Sequence, residues 1–452
     1  MPRVLVNMPS QHGGRPSGVA LVAFRVIAGL LDRGQVTIVL RSPWTRDQLP
    51  EAIRERVEVV TVPRPRVMVL DVLRQAFAVP ALCRAEAIDV VLNADPYGAP
   101  FGGRARVSVV HDLYFRTIPD STGLREALTT NLIFRLVLGN SARVIAVSDT
   151  TRTSLERFYP ALRGRTRTVP SAAMLRDGGA TRPSEVAMPS EVAMPSEVAM
   201  PSEVAMPSEV AMPSEVAMPS EVAMPSEVAM PSEVAMPSEV AMPSEVAMPS
   251  EIAVPSEVAP GPYVLAVGNA THNKNFATLA RAVAALAPTH PELAIVHVGD
   301  DPDDTLAAGL AGTPVRLTRL SRIGDARLAA LYRGAACLCV PSFAEGFCLP
   351  VLEAQELGCP VLCSDRSATP EIAGAGALTF DPADASALAA GLRRLLHEPG
   401  LRVDLIARGH ANARRYDWAE TARRYEAVLL EALRETVRPT PTGEAADAHP
   451  AP

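Results

Sequence analysis

Short apolar runs of strand length alternate with amphipathic stretches of helix length through most of this chain. The apolar runs are 3–8, 36–41, 57–62, 89–94, 106–111 and 143–148 in the first half, and 263–268, 293–300, 337–342 and 360–365 in the second. Helical patterns lie between them, for example at 18–34, 124–140, 276–287 and 325–336. Continuous apolar strands, each followed by a helix, are typical of parallel sheets covered on both faces. The pattern predicts an α/β fold with doubly wound, Rossmann-like units that bind ligands at the carboxyl ends of their strands.

A hexapeptide repeat separates the two alternating regions. PSEVAM occurs eleven times unchanged from Pro183 to Met248, and two variant copies extend the repeat to Pro260. Proline at every sixth residue prevents a continuous helix and disfavours a central strand. We interpret the repeat as an extended, acidic, low-complexity linker, with a stacked hexapeptide β-helix as the alternative. Because the copies are nearly identical, we assign them no chemistry and expect deletion of 189–248 to change activity little.

The linker divides the chain into two predicted domains. Without the repeat, the remaining residues are too many for one ordinary core. We predict a first domain over 1–175, a linker over 176–260 and a second domain over 261–415 that faces the first across a cleft. The amphipathic pattern of 410–435 predicts one long helix, and 436–452 is a polar tail that we predict to be disordered.

Charge is distributed unevenly between the halves. Residues 1–182 contain 25 arginines and 15 acidic residues, whereas 261–452 contain 18 basic and 22 acidic residues. A basic first half predicts an anionic partner, such as a phosphorylated acceptor, a membrane surface or nucleic acid. A solvated, arginine-rich surface is the alternative.

Six cysteines lack CxxC spacing, and five of them lie in or beside apolar runs. This usage is typical of buried, reduced thiols and not of a zinc site or a disulfide framework. No run approaches the roughly 18 apolar residues of a membrane span, and the start MPRVLVNMPS lacks the pattern of a signal peptide. We therefore expect a cytoplasmic protein.

The segment 341–353, PSFAEGFCLPVLE, carries the most informative side chains. A turn follows the predicted strand, and Pro350 suits the first turn of the next helix. Gly346 permits close approach of the backbone to a ligand, and the helix start offers free N–H groups to a phosphate. Glu345 in the loop and Glu353 one turn into the helix can both reach a ligand there, where carboxylates accept hydrogen bonds from sugar hydroxyls. An exposed helix carboxylate is the alternative for Glu353.

Within this segment, EGFCLPVLE resembles the E-x7-E motif of the GT4-like family of retaining glycosyltransferases. The likeness is strongest over 331–374 and extends over 1–175 and 261–435. It implies the two-domain GT-B fold and a site for a nucleoside-diphosphate sugar. The donor contacts that the resemblance implies are Glu345 and the backbone of Gly346 and Phe347 at the sugar, Glu353 at the ribose, and Leu349 and Pro350 near the diphosphate.

The segment GNATHNKN at 268–275 resembles the family's glycine-plus-basic loop, which neutralises the diphosphate. Lys274 is the single lysine of a chain that otherwise uses arginine, which indicates that a compact ammonium is required at this position. Chance survival of one lysine is the alternative. Many relatives have an arginine beside this lysine, whereas this chain has His272 and Asn273. We expect His272 to substitute in part, and Asn273 to contact the donor.

Two elements of the first domain also resemble the family. VSVVHDLYFRTIP at 107–119 is similar to its His-Asp element, which implies that His111 faces the donor sugar opposite Glu345 and that Asp112 orients the loop. A structural histidine is the alternative. The loop GGRPSGV at 13–19 resembles the glycine-rich first loop, with Gly18 as the best match for approach of the donor phosphate or the acceptor. A plain loop-to-helix turn is the alternative for Gly18.

The resemblance implies a helix at 416–433 that crosses back onto the first domain, with Trp418 in packing. It also implies a metal-independent hexosyltransferase without a cofactor, in which His111, Glu345 and Lys274 are the catalytic residues. The His-Asp element and the Lys-Asn loop look most like mannosyltransferases, so GDP-mannose is the favoured donor and UDP-sugars stay open.

The expected acceptor is a glycan or a lipid-linked sugar of polysaccharide biosynthesis, with peripheral contact to the inner membrane face. Nucleic acid is not expected as a partner. A sugar-nucleotide epimerase or a phosphorylase of the same fold is one alternative, and a non-catalytic nucleotide-sugar-binding module is another. A nicotinamide dehydrogenase is disfavoured, because neither domain opens with GxGxxG.

Overall fold

The computed structural model describes residues 1–8, 17–63, 68–118, 123–175, 258 and 260–437. These residues form two separate parallel sheets, one on each side of the repeat in sequence. The predicted fold of two Rossmann-like units is therefore confirmed. The predicted linker and the predicted disordered tail lie almost wholly outside the described residues.

The first sheet has seven parallel strands in the order β3-β2-β1-β4-β5-β6-β7. Its strands are β1 (Arg3–Asn7), β2 (Thr37–Ser42), β3 (Glu58–Thr61), β4 (Val90–Asn93), β5 (Ala105–Val110), β6 (Arg143–Ala146) and β7 (Thr166–Thr168). Both faces of the sheet are buried: Val4 and Val6 of β1 belong to one apolar cluster, whereas Leu5 belongs to another on the opposite face. Burial on both faces explains why these strands are continuously apolar.

The helices of the first domain are α1 (Gly18–Arg33), α2 (Glu51–Arg54), α3 (Met68–Ala85), α4 (Tyr114–Thr117), α5 (Leu124–Gly139) and α6 (Asp149–Phe158). The bounds of α1 follow from its sequence. The side chain of Ser17 accepts a hydrogen bond from the N–H of Ala20, and Gly34 ends the helix with a φ of 64°.

The second sheet has six parallel strands in the order β10-β9-β8-β11-β12-β13. Its strands are β8 (Tyr263–Val267), β9 (Ala294–Val298), β10 (Arg316–Leu320), β11 (Cys337–Val340), β12 (Val361–Ser364) and β13 (Leu378–Phe380). Its helices are α7 (Phe276–Leu286), α8 (Thr305–Gly309), α9 (Asp325–Gly334), α10 (Leu349–Glu356), α11 (Thr369–Ala373), α12 (Ala385–His397) and α13 (Pro399–Ala413), and α14 (Trp418–Val437) follows them.

The prediction of one long helix over 410–435 is wrong. The helix is interrupted between α13 and α14, where the carboxylate of Asp417 accepts hydrogen bonds from the N–H groups of Ala419 and Glu420. This side chain satisfies free N–H groups at a new helix start, so the chain turns between two helices that are each amphipathic.

The turn directs α14 onto the first domain, where it packs against α1. The indole N–H of Trp418 donates to the carbonyl oxygen of Ala173 at 2.9 Å, and Arg33 of α1 pairs with the buried Glu426 at 2.7 Å. All six cysteines are buried free thiols, as predicted. Within the described ranges, no helix has both the length and the apolar character needed to cross a bilayer.

Candidate active site

The loop between β11 and α10 presents Glu345 at the carboxyl end of the second sheet. The loop is strained, since Cys348, directly before α10, has a φ of 75° in the left-handed region that favours glycine. Ser367 holds the loop from the neighbouring strand connection: its hydroxyl donates to the carbonyl oxygen of Glu345 at 2.7 Å, and the N–H of Glu345 lies 3.1 Å from the same hydroxyl. The backbone of Glu345 is therefore positioned by contacts beyond its own loop.

The carboxylate of Glu345 forms an ion pair with Lys274. The ammonium lies 2.7 Å from Oε1, and the buried hydroxyl of Ser342 donates to the same oxygen at 2.6 Å. The side chains of Lys274 and Glu345 are only 21% and 9% exposed, so water screens the pair weakly. Burial opposes the charged ammonium, but the nearby carboxylate of Glu345 outweighs it and raises the pKa of Lys274. Lys274 is therefore a permanent cation at neutral pH.

The loop that carries Lys274 is joined directly to the Glu345 loop. The side-chain amide of Asn273 donates to the carbonyl oxygen of Ala344 at 3.2 Å. The backbone carbonyl oxygen of Asn273 accepts from the N–H of Phe343 at 2.8 Å. Gly268 has a φ of 122°, and the aliphatic part of Lys274 lies over it. Asn273 thus positions the two loops, while His272 is exposed beside Phe343.

The first domain contacts this loop through Gly346. A Cβ on Gly346 would coincide with the carbonyl group of His111, and the carbonyl oxygen of Gly346 accepts hydrogen bonds from Ser148 at 2.7 Å and Thr151 at 3.1 Å. The space expected for a ligand beside Gly346 is thus occupied by the backbone of the first domain in this structure. This contact brings the carboxyl ends of both sheets together, as the fold predicts.

Asp112, and not the ring of His111, is the group of the first domain that is electrostatically coupled to the ion pair. Burial, helped by the nearby carboxylate of Glu345, raises the pKa of Asp112 to about 6, against the opposing effects of the N–H of Tyr114 and the ammonium of Lys274. The carboxyl group of Asp112 therefore lies within electrostatic range of the Lys274–Glu345 pair. The sequence had indicated Asp112 only as a residue that orients its loop.

The ring of His111 lies on the inner side of the first domain. Its Nε2 is 3.0 Å from the carbonyl oxygen of Ala94, and the ring lines a small apolar cavity with Ala23 of α1 and Tyr425 of α14. Burial lowers the pKa of His111, although the hydrogen bond to Ala94 and the charge of Asp95 oppose the shift. The imidazole is therefore neutral at pH 7.

Glu353 lies on α10, with partners that differ from those of Glu345. It is buried, and its Oε2 accepts a hydrogen bond from the hydroxyl of Tyr332 on α9 at 2.9 Å. Burial, together with the charge of Asp325, raises the pKa of Glu353 to about 7, although the hydrogen bond from Tyr332 opposes the shift. Tyr332 was absent from the sequence-based site, because a tyrosine in a helical pattern gives no sign of a buried carboxyl partner.

The remaining predicted donor contacts lie around the start of α10 and of α1. The ring of Phe347 is buried and packs edge-on against Tyr416, with 5.9 Å between ring centroids, so only its backbone can face a donor. Leu349 and Pro350 form the half-buried first turn of α10. Gly18 is the exposed first residue of α1, and the preceding residues 9–16 lie outside the described ranges.

A second contact between the domains was missed by sequence reasoning. The carboxylate of Glu371 on α11 accepts hydrogen bonds from the N–H groups of Asp149 and Thr150 at 2.7 and 2.8 Å, and from the Thr150 hydroxyl at 2.7 Å. These N–H groups begin α6, where a negative charge is stabilised by the helix dipole. Glu371 thus fixes the first domain against the second, and no local sequence pattern signals a partner 221 residues away.

Comparison with known proteins agrees with this arrangement of two domains. Residues 16–173 match the family model described as Glycosyltransferase Family 4, and residues 250–412 match the one described as Glycosyl transferases group 1. The chain belongs to glycosyltransferase family 4. This family 4 protein carries Asp112 within the first matched range, and Lys274 and Glu345 within the second.

Its relatives include mannosyltransferases. The protein is 39% identical over 99 residues to O-antigen chain mannosyltransferase B of Escherichia coli, covering 22% of this chain and 26% of that protein. It is 32% identical over 166 residues to a phosphatidyl-myo-inositol mannosyltransferase of Mycobacterium tuberculosis, covering 34% of this chain and 44% of that protein. The matches thus span less than half the length of either relative.

A solved structure with the same fold is that of sucrose-phosphate synthase from Thermosynechococcus elongatus. The TM-score is 0.66 at 15% identity, and the match covers 96% of this chain and 99% of that chain. At this identity the likeness establishes the GT-B fold of the family 4 protein and no more.

Proposed function

We propose that this protein is a metal-independent hexosyltransferase that transfers a sugar, with retention of configuration, to a glycan or lipid-linked acceptor. The observation that carries the proposal is the Lys274–Glu345 ion pair beside Asp112, at the carboxyl ends of β5, β8 and β11. GDP-mannose is the favoured donor, which the mannosyltransferases among the relatives support. UDP-sugars are the alternative donors.

In the proposed reaction, the acceptor hydroxyl attacks the anomeric carbon on the face from which the diphosphate leaves. The new bond from oxygen to carbon forms as the bond to the diphosphate oxygen breaks, and the leaving diphosphate takes the acceptor proton. The ammonium of Lys274 and the start of α10 neutralise the charge that develops on the diphosphate. Glu345 and His111 hold the sugar, and Glu353 holds the ribose.

The contacts between the domains imply that donor binding is coupled to domain separation. A sugar between Glu345 and His111 would need the space that the contact of Gly346 with His111 now fills. The Glu371 contact with α6 must then lengthen as well. The half-buried Lys274 has one carboxylate partner within hydrogen-bond distance, and a diphosphate entering the cleft would replace or join it.

Calorimetric titration of GDP, UDP and ADP into the full chain tests the donor site. We expect one nucleotide to bind selectively, and Lys274→Ala to weaken its binding on the order of tenfold or more, because a charge-assisted contact is lost. Lys274→Arg keeps the charge but not the compact ammonium, so it should recover only part of the affinity that Lys274→Ala loses. Absence of binding by all three nucleotides, or equal binding to Lys274→Ala, would contradict the proposed site.

Transfer chemistry is tested with GDP-mannose labelled in the sugar and a glycan acceptor. A transferase moves the label to the acceptor, whereas an epimerase leaves it on the nucleotide and a phosphorylase releases it as sugar phosphate. The anomeric configuration of the product, measured by NMR, tests retention. Unchanged turnover in excess EDTA is expected for a metal-independent reaction.

Peripheral contact with an anionic membrane is part of the proposal, and two neighbouring helices of the first domain support it. α3 and α5 pack together through Val72, Ile133 and Val137. The large apolar side chains that they expose are Val69, Leu70, Leu73 and Phe77 on α3, and Leu128, Leu132 and Leu136 on α5. Exposed apolar rows of this size are unusual in a monomer and mark interaction surfaces. Arg74, Arg125 and Arg135 are exposed on the same helices and complement anionic lipid headgroups.

Co-sedimentation with phosphatidylglycerol vesicles tests this contact. We expect binding that weakens with salt and that is lost in Phe77→Ser/Leu132→Ser, because these side chains are 78% and 68% exposed. Val403→Ser, which removes a comparably exposed side chain from α13, is the control and should bind normally. Equal sedimentation of both variants would exclude this face as the membrane contact.

A further inference from the structure

A basic groove lies at the opposite end of the first sheet from Glu345. It has a volume of about 700 Å³ and is lined by the amino ends of β5 and β6 and by the turn before β7. Five arginines line it, and we call it the arginine groove: Arg104, Arg106, Arg143, Arg163 and Arg165. Because β5 has six residues, its two ends are about 17 Å apart. The arginine groove is therefore separate from the cleft, which lies at the carboxyl end of β5.

Carboxylates neutralise only part of this positive charge. Glu435 is the acidic residue in the lining, and Arg143 pairs with both Glu435 and Glu431. Arg104 lies 3.5 Å from Asp89 in an exposed pair. Arg163 is exposed and has no side-chain partner in the part of the chain that the structure describes.

Two further guanidinium groups are held by neutral carbonyl oxygens. Arg106 donates to the carbonyl oxygens of Asn140 at 2.8 Å and Gly102 at 3.2 Å, and Arg165 donates to carbonyl oxygens at the end of α5. These contacts orient the guanidinium planes without cancelling their charge. Burial lowers the pKa of Arg165, and the charge of Arg143 lowers it further, in keeping with the close spacing of the arginines.

The buried member of the set also lacks a full set of partners. Arg143 has a side chain only 8% exposed, and its Nε has no hydrogen-bond partner among the described residues. Burying a donor without a partner is costly. An anion in the arginine groove would relieve both this cost and the repulsion between the guanidinium groups.

We propose that the arginine groove binds an anion with several phosphate groups. Oriented guanidinium groups match the oxygens of phosphate with paired hydrogen bonds, and the volume admits more than one phosphate. A free oligophosphate and a phosphorylated lipid headgroup present the same chemistry. This site does not depend on the proposed transferase activity, since it uses none of the cleft residues.

Titration of the full chain with tripolyphosphate tests the proposal. We expect saturable binding that weakens between 50 and 300 mM NaCl, because the contacts are ionic. Arg104→Gln/Arg163→Gln should weaken it on the order of tenfold. These two positions are chosen because both side chains are exposed, so the fold is retained. Arg393→Gln/Arg414→Gln, the same charge change at exposed positions of the second domain, should bind as the wild type does.

Two further arms separate the cleft and the source of the anion. Tripolyphosphate binding that persists in Lys274→Ala but weakens in Arg104→Gln/Arg163→Gln supports the proposal. Binding that is lost in Lys274→Ala and unchanged in Arg104→Gln/Arg163→Gln places the anion in the cleft and overturns the proposal. Cardiolipin presents two phosphate groups in one headgroup, whereas phosphatidylglycerol presents one. Retention that is stronger on cardiolipin vesicles than on phosphatidylglycerol vesicles of equal charge, and that depends on Arg104 and Arg163, identifies a headgroup as the source. Absence of both groove-dependent tripolyphosphate binding and groove-dependent vesicle retention overturns the proposal.

Discussion

Gly346 of the second domain lies directly against the backbone carbonyl group of His111 in the first domain. The carbonyl oxygen of His111 lies 1.5 Å from the position that a Cβ atom on residue 346 would occupy. The two residues are far apart in the sequence and belong to different domains, so this contact exists only when the domains are together. Ser148 and Thr151 donate to the carbonyl oxygen of Gly346 and complete the contact. The glycine therefore sets how closely the sheets can approach.

Gly346→Ala is expected to weaken the association of the domains. The added methyl group forces the backbone at His111 to move, and overpacking of this kind costs about 1–3 kcal/mol. Urea unfolding should report the loss of stability, and small-angle scattering should report an enlarged radius of gyration. Gly400→Ala, at a position with open space, is the control. A Gly346→Ala protein with wild-type stability and radius would contradict the tight contact.

The Lys274–Glu345 pair is expected to be energetically coupled. Lys274→Met leaves the Glu345 carboxylate buried without its cation, which costs about 3 kcal/mol of the free energy of unfolding. Lys274→Met/Glu345→Gln removes both charges and should recover part of this loss, with a coupling energy of about 1–3 kcal/mol. Urea unfolding of the four proteins in the cycle measures the coupling, and additive losses would show that the pair is structurally independent.

Glu353 is expected to make stability fall as the pH rises. Its pKa is raised from 4.5 to about 7 in the folded protein, so between these values the folded state binds a proton more strongly than the unfolded state does. The buried, ionised Glu353 therefore does not lower the free energy of unfolding below pH 4.5. Above pH 7 it lowers the free energy of unfolding by the full amount, about 3 kcal/mol. Glu353→Gln should therefore be stabilising at pH 7.5 and nearly neutral at pH 4.5.

Urea unfolding at both pH values measures this effect. Glu356→Gln, on the same helix, is the control and should follow the wild-type profile. Asp112 also makes the free energy of unfolding fall as the pH rises from 3.8 to about 6. The effect of Glu353 is therefore measured as the difference in free energy of unfolding between Glu353→Gln and the wild type at each pH. An unchanged slope in Glu353→Gln would show that this carboxyl group does not titrate across that range.

Glu371 is expected to protect the first turn of α6 from solvent exchange. Loss of its carboxylate in Glu371→Ala exposes the N–H groups of Asp149 and Thr150, at a cost of about 1 kcal/mol, as for other helix caps. Hydrogen exchange of a peptide spanning 148–152 should become several-fold faster. Glu371→Gln keeps the shape and one acceptor oxygen and should show a smaller change. Exchange in Glu371→Ala at the wild-type rate would mean that the contact does not persist in solution.

Sequence patterns predicted the central strands well and the edge strands poorly. The predicted run at 3–8 became β1, which is buried on both faces. β7, β10 and β13 were missed, and all three lie at a sheet edge. An edge strand has a neighbour on one side only and can be short and half polar, as in the RLTRL of β10. The continuous apolar run on which the prediction depends is then missing.

The residue types of the candidate site were also readable from the sequence, because Glu345 follows a buried strand and Lys274 is the single lysine. The partners of these residues were not. That Ser342 and Lys274 share one oxygen of Glu345, that Glu353 turns to Tyr332, and that Glu371 reaches α6 are consequences of packing.

The sequence by itself determined that this chain forms two parallel sheets, since burial on both faces requires a continuous apolar run in each central strand. It also predicted a candidate ligand site at the carboxyl ends of these strands. Only the tertiary structure decided that Gly346 meets His111 and that Asp112 lies within electrostatic range of Lys274. Such pairs are separated by more than 150 residues in the chain, and their distances and pKa values depend on how two domains meet. No local pattern encodes that relation.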